Sequence, residues 1–220
     1  KHVLQIGIWT IQTLYETGKA AQVARELDRY KIDVLGLSEI RWNTAGMSTL
    51  STGHVLLYSG SPNKEDEHQN GVGIMLTKRA ERSLLEWNPI SERILTARFQ
   101  SRFQKVTIIQ CYAPTNVAEW KKKEEFYRQL ESAMLKVPKR DNVIVIGDFK
   151  TIVGKRKDGE EATMGQHGCG ERNENGDLLL KFCRDKDLVI GGTLFEHQRI
   201  HKVTWRSPDL TTENQIDHMM

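Results

Sequence analysis

Three carboxylates stand where a buried strand should give way to polar chain. Glu39 follows the apolar run 33–38 (DVLGLS), Asp148 follows 142–147 (NVIVIG), and Asp217 interrupts the last run, from Gln215 onward. A charge at the end of a buried strand is expected at the rim of a sheet, and several such ends can converge on one pocket. Carboxylate oxygens suit a hard cation: Mg²⁺ commonly takes one or two of them and completes its shell with water and substrate phosphate. Taken singly, each acid is explained as well by a strand that has reached water. The words around them carry more: WTIQTL, LSEIRW, QCYAPT, GDF and QIDH, in that chain order.

The elements that must position these residues follow from periodicity. Residues 3–9 are an apolar, β-branched run. From Glu16 the pattern turns helical, with Ala20, Val23, Ala24 and Leu27 on one face. Strands are predicted at 54–58 and 72–77, separated by the polar, turn-rich SPNKEDEHQNG, which reads as an exposed loop. Runs 94–99 and 105–112, joined by SRFQ, read as a hairpin. Over 119–136 a helix is predicted, with Lys123, Phe126, Tyr127, Leu130, Ala133, Met134 and Val137 inward. Residues 151–175 are Gly-rich and charged, a loop. Asn175-Gly176 then opens a helix with Leu178, Leu179, Phe182 and Cys183 inward, and late strands are expected at 188–190, around Thr204-Trp205, and from Gln215. Hairpins mixed with strand–helix–strand units predict two mixed sheets packed face to face with helices outside, a four-layer α/β/β/α sandwich. No repeat or linker interrupts it, so residues 1–220 are expected to form one domain.

Composition sets wider bounds. The 220 residues are 38% hydrophobic and 28% charged, an ordinary globular balance. No apolar run approaches the roughly 18 residues of a membrane span, so no membrane partner is expected. Three cysteines (Cys111, Cys169, Cys183) without metal spacing fit a reducing, intracellular setting. A net charge of +3 is compatible with a phosphate-rich partner and does not by itself decide one.

With the surrounding text, the motifs become specific. SEIRW, GVGIML, ERILTARF, VTIIQCYAPTN, VIGDF, GCGERNENG, LVIGGTLF, HKVTWRSPD and TENQIDH together resemble the endonuclease/exonuclease/phosphatase superfamily of exonuclease III, AP endonucleases and DNase I. Within it they resemble the RTE-type non-LTR retrotransposon endonuclease. The resemblance runs from Gln5 to the last residue. It implies a DNase I-like fold, a DNA partner met through its backbone, and Mg²⁺ or Mn²⁺ as cofactor. It makes Glu39 the principal metal ligand and Tyr112 the hydroxyl that meets the scissile phosphate. Asp148 becomes the acid that orients the attacking water, and Asp217 the acid that supports the family's catalytic histidine. Thr10, Arg41, Thr115 and Lys150 fall at nucleic-acid-binding positions.

Departures from the family pattern fall on the chemistry. Trp-Asn reads Trp9-Thr10, and Gly-Asp-Phe-Asn reads Gly147-Asp148-Phe149-Lys150. Tyr-x-Pro-Asn reads Tyr112-Ala113-Pro114-Thr115, as in retroelement relatives, and the Ser-Asp-His motif would lie past Met220, so the fold is expected to lack its C-terminal end. If the segment is extended, Lys150 and Asp148 share a face, and the ammonium is expected to take part of the cation's place; an outward-pointing lysine is the alternative. Each lost catalytic group commonly lowers rate on the order of 10²–10⁴. The expectation is therefore an endonuclease by lineage with weak or lost activity, or a domesticated DNA- or protein-binding scaffold. A phosphoinositide- or sphingomyelin-type esterase is disfavoured by the retroelement-like text. His54 reads as structural, and His197 or His201 as a weak stand-in for the missing histidine. His218 should face away from Asp217, and Lys121-Lys122-Lys123 reads as a solvated helix face. Trp42 and Trp205 read as packing, though Arg41 and Trp42 could also meet a DNA backbone. Gly71-Val72-Gly73 precedes no helix and is no nucleotide loop.

Overall fold

The computed structural model describes residues 4–16, 18–207 and 209–220. The chain falls into two compact units: Lys1–Tyr112 with Arg128–Gly147, and Ala113–Tyr127 with Asp148–Met220.

The first unit holds β1 (Ile6–Thr10), α1 (Lys19–Arg29), β2 (Val34–Ser38), β3 (Ala45–Thr49), β4 (Val55–Ser59), β5 (Val72–Leu76), α2 (Lys78–Glu81), β6 (Leu84–Ser91), β7 (Ile94–Gln100), β8 (Lys105–Tyr112) and nearly all of β9 (Asn142–Asp148). One sheet runs β1-β2-β5-β4-β3, and β9-β8-β7-β6 neighbour one another in the second. In the first sheet β1 is parallel to β2, with Thr10 opposite Ser38, whereas β2, β5, β4 and β3 pair antiparallel. That sheet is therefore mixed, as its sequence pattern required. β2 and β5 are buried along their whole length, which explains their unbroken apolar runs. Their inner faces pack on β7 and β8.

On the outside, Val23, Ala24 and Leu27 of α1 join Leu35, Leu37, Leu56 and Met75 in one core cluster. Leu27 is wholly buried, and truncating it to alanine should cost about 2–5 kcal/mol. Val3, placed in the first strand by its pattern, lies outside the described residues. The strand begins at Ile6, and α1 begins at Lys19 behind a left-handed Gly18.

Two strands of this unit escaped the periodicity. β3 (AGMST) carries little apolar content because it is an edge strand, alternately exposed. β6 carries Pro89 and two register shifts against β7, which an edge tolerates and a central strand would not.

The second unit contains α4 (Glu174–Asp185), the two-stranded ribbon of β10 (Trp205–Arg206) with β11 (Glu213–Asn214), and β12 (Asp217–Met219). Helix α3 (Trp120–Leu135) begins in this unit and ends in the first. Phe126 packs edge-on against Tyr127 and Phe149, and Tyr127 meets Phe182 of α4.

Three expectations are corrected here. Residues 188–190 form no strand, only a single bridge from Ile190 to Met164, and Val189 is exposed. Helix α4 starts one residue earlier than Asn175-Gly176 suggested, because the Asn173 side chain accepts from Gly176 N at 2.8 Å and caps it. Lys123 lies inward, as the helix period placed it, and not with the solvated Lys121 and Lys122: it is 3% exposed, donating to Asn116 O and Glu174 Oε2, both at 2.7 Å.

Candidate active-site residues

In the first unit, β2 carries Glu39 past its end and β8 ends on Tyr112, and the two side chains meet. Tyr112 Oη donates to Glu39 Oε1 at 3.1 Å, and Arg41 Nη2 lies 3.6 Å from Glu39 Oε2. Thr10 ends β1 opposite Ser38, the residue before Glu39. Glu39 has φ 60 and Arg41 φ 58, left-handed conformations that a non-glycine residue adopts at a cost. The turn is held by Ile40 N donating to Gly71 O and Arg41 N to Asn70 O.

Three further residues position this pair and escaped the sequence reading. Gln110, fully buried, donates from Nε2 to Leu37 O, Ser38 Oγ and Cys111 O, tying the strand that ends on Tyr112 to the strand that precedes Glu39. Gly36 makes this crossing possible: a Cβ there would sit 2.0 Å from Gln110 Oε1. Arg93 donates to Tyr112 O at 3.2 Å, stacks its guanidinium over the Tyr112 ring at 5.1 Å, and is itself held by Asn70 Oδ1 at 3.0 Å. Gln110 and Arg93 sit inside the quoted words QCYAPT and ERILTARF. A buried polar residue within an apolar strand was the available signal.

In the second unit Asp148 is wholly buried, and residue 150 engages both of its oxygens. Lys150 N donates to Oδ1 at 3.0 Å, and Lys150 Nζ lies 2.8 Å from Oδ2. The pairing exists, but the reason offered for it was wrong. Lys150 has φ 50, so Asp148-Phe149-Lys150 is a side-chain-closed turn, not an extended segment. Phe149 N donates to Ile216 O at 3.0 Å, which brings the backbone before Asp217 alongside the backbone after Asp148. Asp217 N and Ile216 N both donate to Thr204 Oγ1. Thr115 is exposed and its carbonyl closes a turn with Ala118 N.

His218 is buried. Its Nε2 donates to Thr151 O at 3.0 Å, while Nδ1 has no partner, and burial pushes the imidazole down to about 4. His54 is structural, bonded to Thr52 Oγ1 and Asp28 Oδ1. His197 and His201 are exposed. Trp42 packs edge-on against Tyr58 as expected, but Trp205 is 39% exposed instead of packed.

The donor set can be weighed against a divalent cation. A single carboxylate such as Glu39 with waters and phosphate oxygens suits Mg²⁺. Among the described residues, no three His, Cys, Asp or Glu side chains gather into a metal cage. An ammonium already seated on Asp148 opposes a second positive charge there. Glu39 fits the ion; Asp148, with Lys150 present, does so poorly.

Two mixed sheets flanked by helices define a DNase I-like α/β fold. Solved structures share it: the endonuclease domain of TRAS1, a telomere-specific non-LTR retrotransposon, at a TM-score of 0.62, 15% identity, and coverage of 96% of this chain and 83% of that one. The Neisseria 3′ phosphatase NExo, bound to product DNA hairpin, matches at a TM-score of 0.61 and 16% identity, over 99% of this chain and 86% of that one. The Endonuclease/Exonuclease/phosphatase family pattern matches residues 12–149, and the chain belongs to that family. Craniofacial development protein 2 of Tragulus javanicus is 35% identical over 216 residues, 98% of this chain and 36% of that protein. The chain thus spans about a third of the length of its curated relative. No helix among the described residues is long and apolar enough to cross a membrane.

Proposed function

We propose that this chain is a metal-dependent DNA endonuclease domain of retrotransposon lineage whose phosphodiester-cleaving activity is weak or lost. The observation that carries the reading is the Lys150 ammonium 2.8 Å from the buried Asp148 carboxylate. In the proposed roles, Glu39 holds Mg²⁺ or Mn²⁺, Tyr112 Oη meets the phosphate, Asp148 orients the water, and Asp217 supports a histidine. When bound, the ion would neutralise charge on phosphate and leaving oxygen. The residues of this chain would do the rest: Tyr112 Oη, steered by Arg93 and Glu39, donates a hydrogen bond, and Asp148 accepts one from water. With Lys150 salt-bridged to it, Asp148 is a poorer acceptor for that water. Thr10, where the family has asparagine, offers a hydroxyl in place of a carboxamide. DNA as the partner is supported by family membership and by exposed Arg199, Arg206 and Trp205 on and beside the β10–β11 ribbon. We place action in the nucleus, where a fluorescent fusion should concentrate.

Supercoiled-plasmid nicking in Mg²⁺ and in Mn²⁺ tests this. The chain as it stands should nick weakly or not at all, Thr10→Asn with Lys150→Asn should raise the rate, and Glu39→Ala should abolish the gain. Robust nicking by the unaltered chain would overturn the impairment. A reverted chain that binds DNA without cutting favours the second reading, a domesticated DNA- or protein-binding scaffold within a host protein, which the likeness to craniofacial development protein 2 supports.

A further inference from the structure

We propose that Asn175 is a positioning residue: its carboxamide holds residue 150 in a left-handed backbone conformation, from which the residue 150 side chain is delivered onto Asp148. The proposal rests on the reading of Asp148 as the water-orienting carboxylate.

Asn175 is 4% exposed, in the first turn of α4. Its Nδ2 donates to Pro114 O at 3.0 Å and to Lys150 O at 3.3 Å. One carboxamide thereby bridges the segment that leaves Tyr112 and the segment that leaves Asp148. The same two segments are joined by Ala113 N donating to Asp148 O at 2.8 Å. Asn173 adds a second donor to Lys150 O at 3.3 Å, while its Oδ1 accepts from Ile152 N at 3.1 Å. The backbone of Asn175 is pinned separately, its N–H donating to Asn116 Oδ1 at 3.1 Å.

Lys150 needs such a clamp. With φ 50 it occupies a region that costs a residue with a Cβ, and it persists there only if its surroundings over-determine it. Two carboxamides on its carbonyl and the Asp148 carboxylate on its N–H hold the peptide planes on both sides. A side chain leaving a backbone so fixed has little choice of direction. Asparagine is a chemical necessity at position 175, because the group must donate two hydrogens to two carbonyls. An aspartate would set carboxylate against carbonyl oxygen.

Acetic anhydride labelling of the whole chain, read peptide by peptide by mass spectrometry, tests the clamp without needing activity. In the wild-type chain Lys150 should label far more slowly than exposed Lys155. In Asn175→Ala its rate should rise toward that of Lys155 while Lys123 stays protected, since the backbone bond at 175 survives the change. Unchanged Lys150 labelling, or Lys150 and Lys123 becoming reactive together, would overturn the proposal. Should Asn175→Ala not fold, Asn175→Ser, which retains a single donor, is read by the same criteria. In the Thr10→Asn/Lys150→Asn background, adding Asn175→Ala should lower kcat and leave KM unchanged; a rise in KM alone refutes positioning. If the labelling result holds and that background never nicks, the water-orienting reading of Asp148 falls while the clamp stands.

Discussion

Replacing Lys150 by asparagine should weaken the fold in metal-free buffer and make it responsive to Mg²⁺. The pair has 2.8 Å between Nζ and Oδ2, with side-chain exposures of 18% for Lys150 and 0% for Asp148. At an effective dielectric near 20, the attraction at that distance is about 6 kcal/mol, most of it offset by desolvation. What substitution exposes is a buried carboxylate without its counter-charge, about 3–5 kcal/mol. The partial exposure of Lys150 puts the loss near the lower end, about 3 kcal/mol. Asparagine recovers roughly 1 kcal/mol, because its short polar side chain tolerates the left-handed backbone better than lysine does. The net loss of about 2 kcal/mol should lower Tm by about 4–8 °C in a chain of this size. A cation that then binds in the ammonium's stead, at about a hundredfold over its Kd, would restore about 2.7 kcal/mol. Differential scanning calorimetry of both chains, with EDTA and with saturating MgCl₂, gives all four values. The reasoning fails if the variant matches wild type in EDTA, or if Mg²⁺ raises both by the same amount.

Three further outcomes follow from buried or clamped groups. His218, held neutral by burial with its pKa at about 4, binds fewer protons folded than unfolded between pH 6.5 and 4. Its contribution is therefore present above pH 6.5 and lost as pH falls to 4, by about 3 kcal/mol. Urea unfolding of wild type should lose that much more than His218→Gln over the same window, and parallel curves would refute it. Cys111 and Cys183 are buried, and burial alone pushes both thiols up, Cys183 to about 12. Ellman's reagent should therefore titrate Cys169 alone in the native chain and all three cysteines in guanidinium. Arg172 donates to both oxygens of Glu160 and to Val153 O and Lys155 O, and it holds the Glu160 carboxyl down at about 2. Arg172→Ala should open the 151–175 loop to tryptic cleavage at Lys155, Arg156 and Lys157, with α4 intact by circular dichroism.

What was legible in the sequence divides along physical lines. Strands buried on both faces announce themselves as apolar runs, so β2, β5, β7, β8 and β9 were placed within a residue or two. Edge strands have no such constraint, and β3 and β6 were invisible. Helix faces were readable in α1, α3 and α4 because burial imposes a period. Lys123 follows that period against the rule that a lysine run faces water, because the nearby Asn116 carbonyl and the distant Glu174 carboxylate pair its ammonium. Around the candidate site, the sequence offered residue types but not the contacts that support them. Glu39, Tyr112 and Asp148 stand in recognisable words, whereas Gln110, Arg93 and Asn175 act through backbone carbonyls and leave no spacing pattern.

Under the proposed reading, the local backbone would place the impairment in side chains and not in the frame. Gly147 has φ 142, and a Cβ there would come 2.0 Å from Cys111 O, so the strand reaches Asp148 only with glycine before it. Asp148 then closes its turn through Oδ1, and Asn173 and Asn175 hold the carbonyl of residue 150. None of these contacts uses the lysine side chain. A left-handed position closed by an aspartate and clamped by two carboxamides is one that asparagine fills with less strain than lysine. Reversion at 150 therefore asks nothing new of the backbone, and the same holds at Thr10, whose strand register with Ser38 is set by main-chain bonds. Substitutions confined to side chains on an intact frame should be reversible one residue at a time. A frame that had drifted would leave the double reversion as inert as the starting chain, even with its ion pair removed and its fold intact.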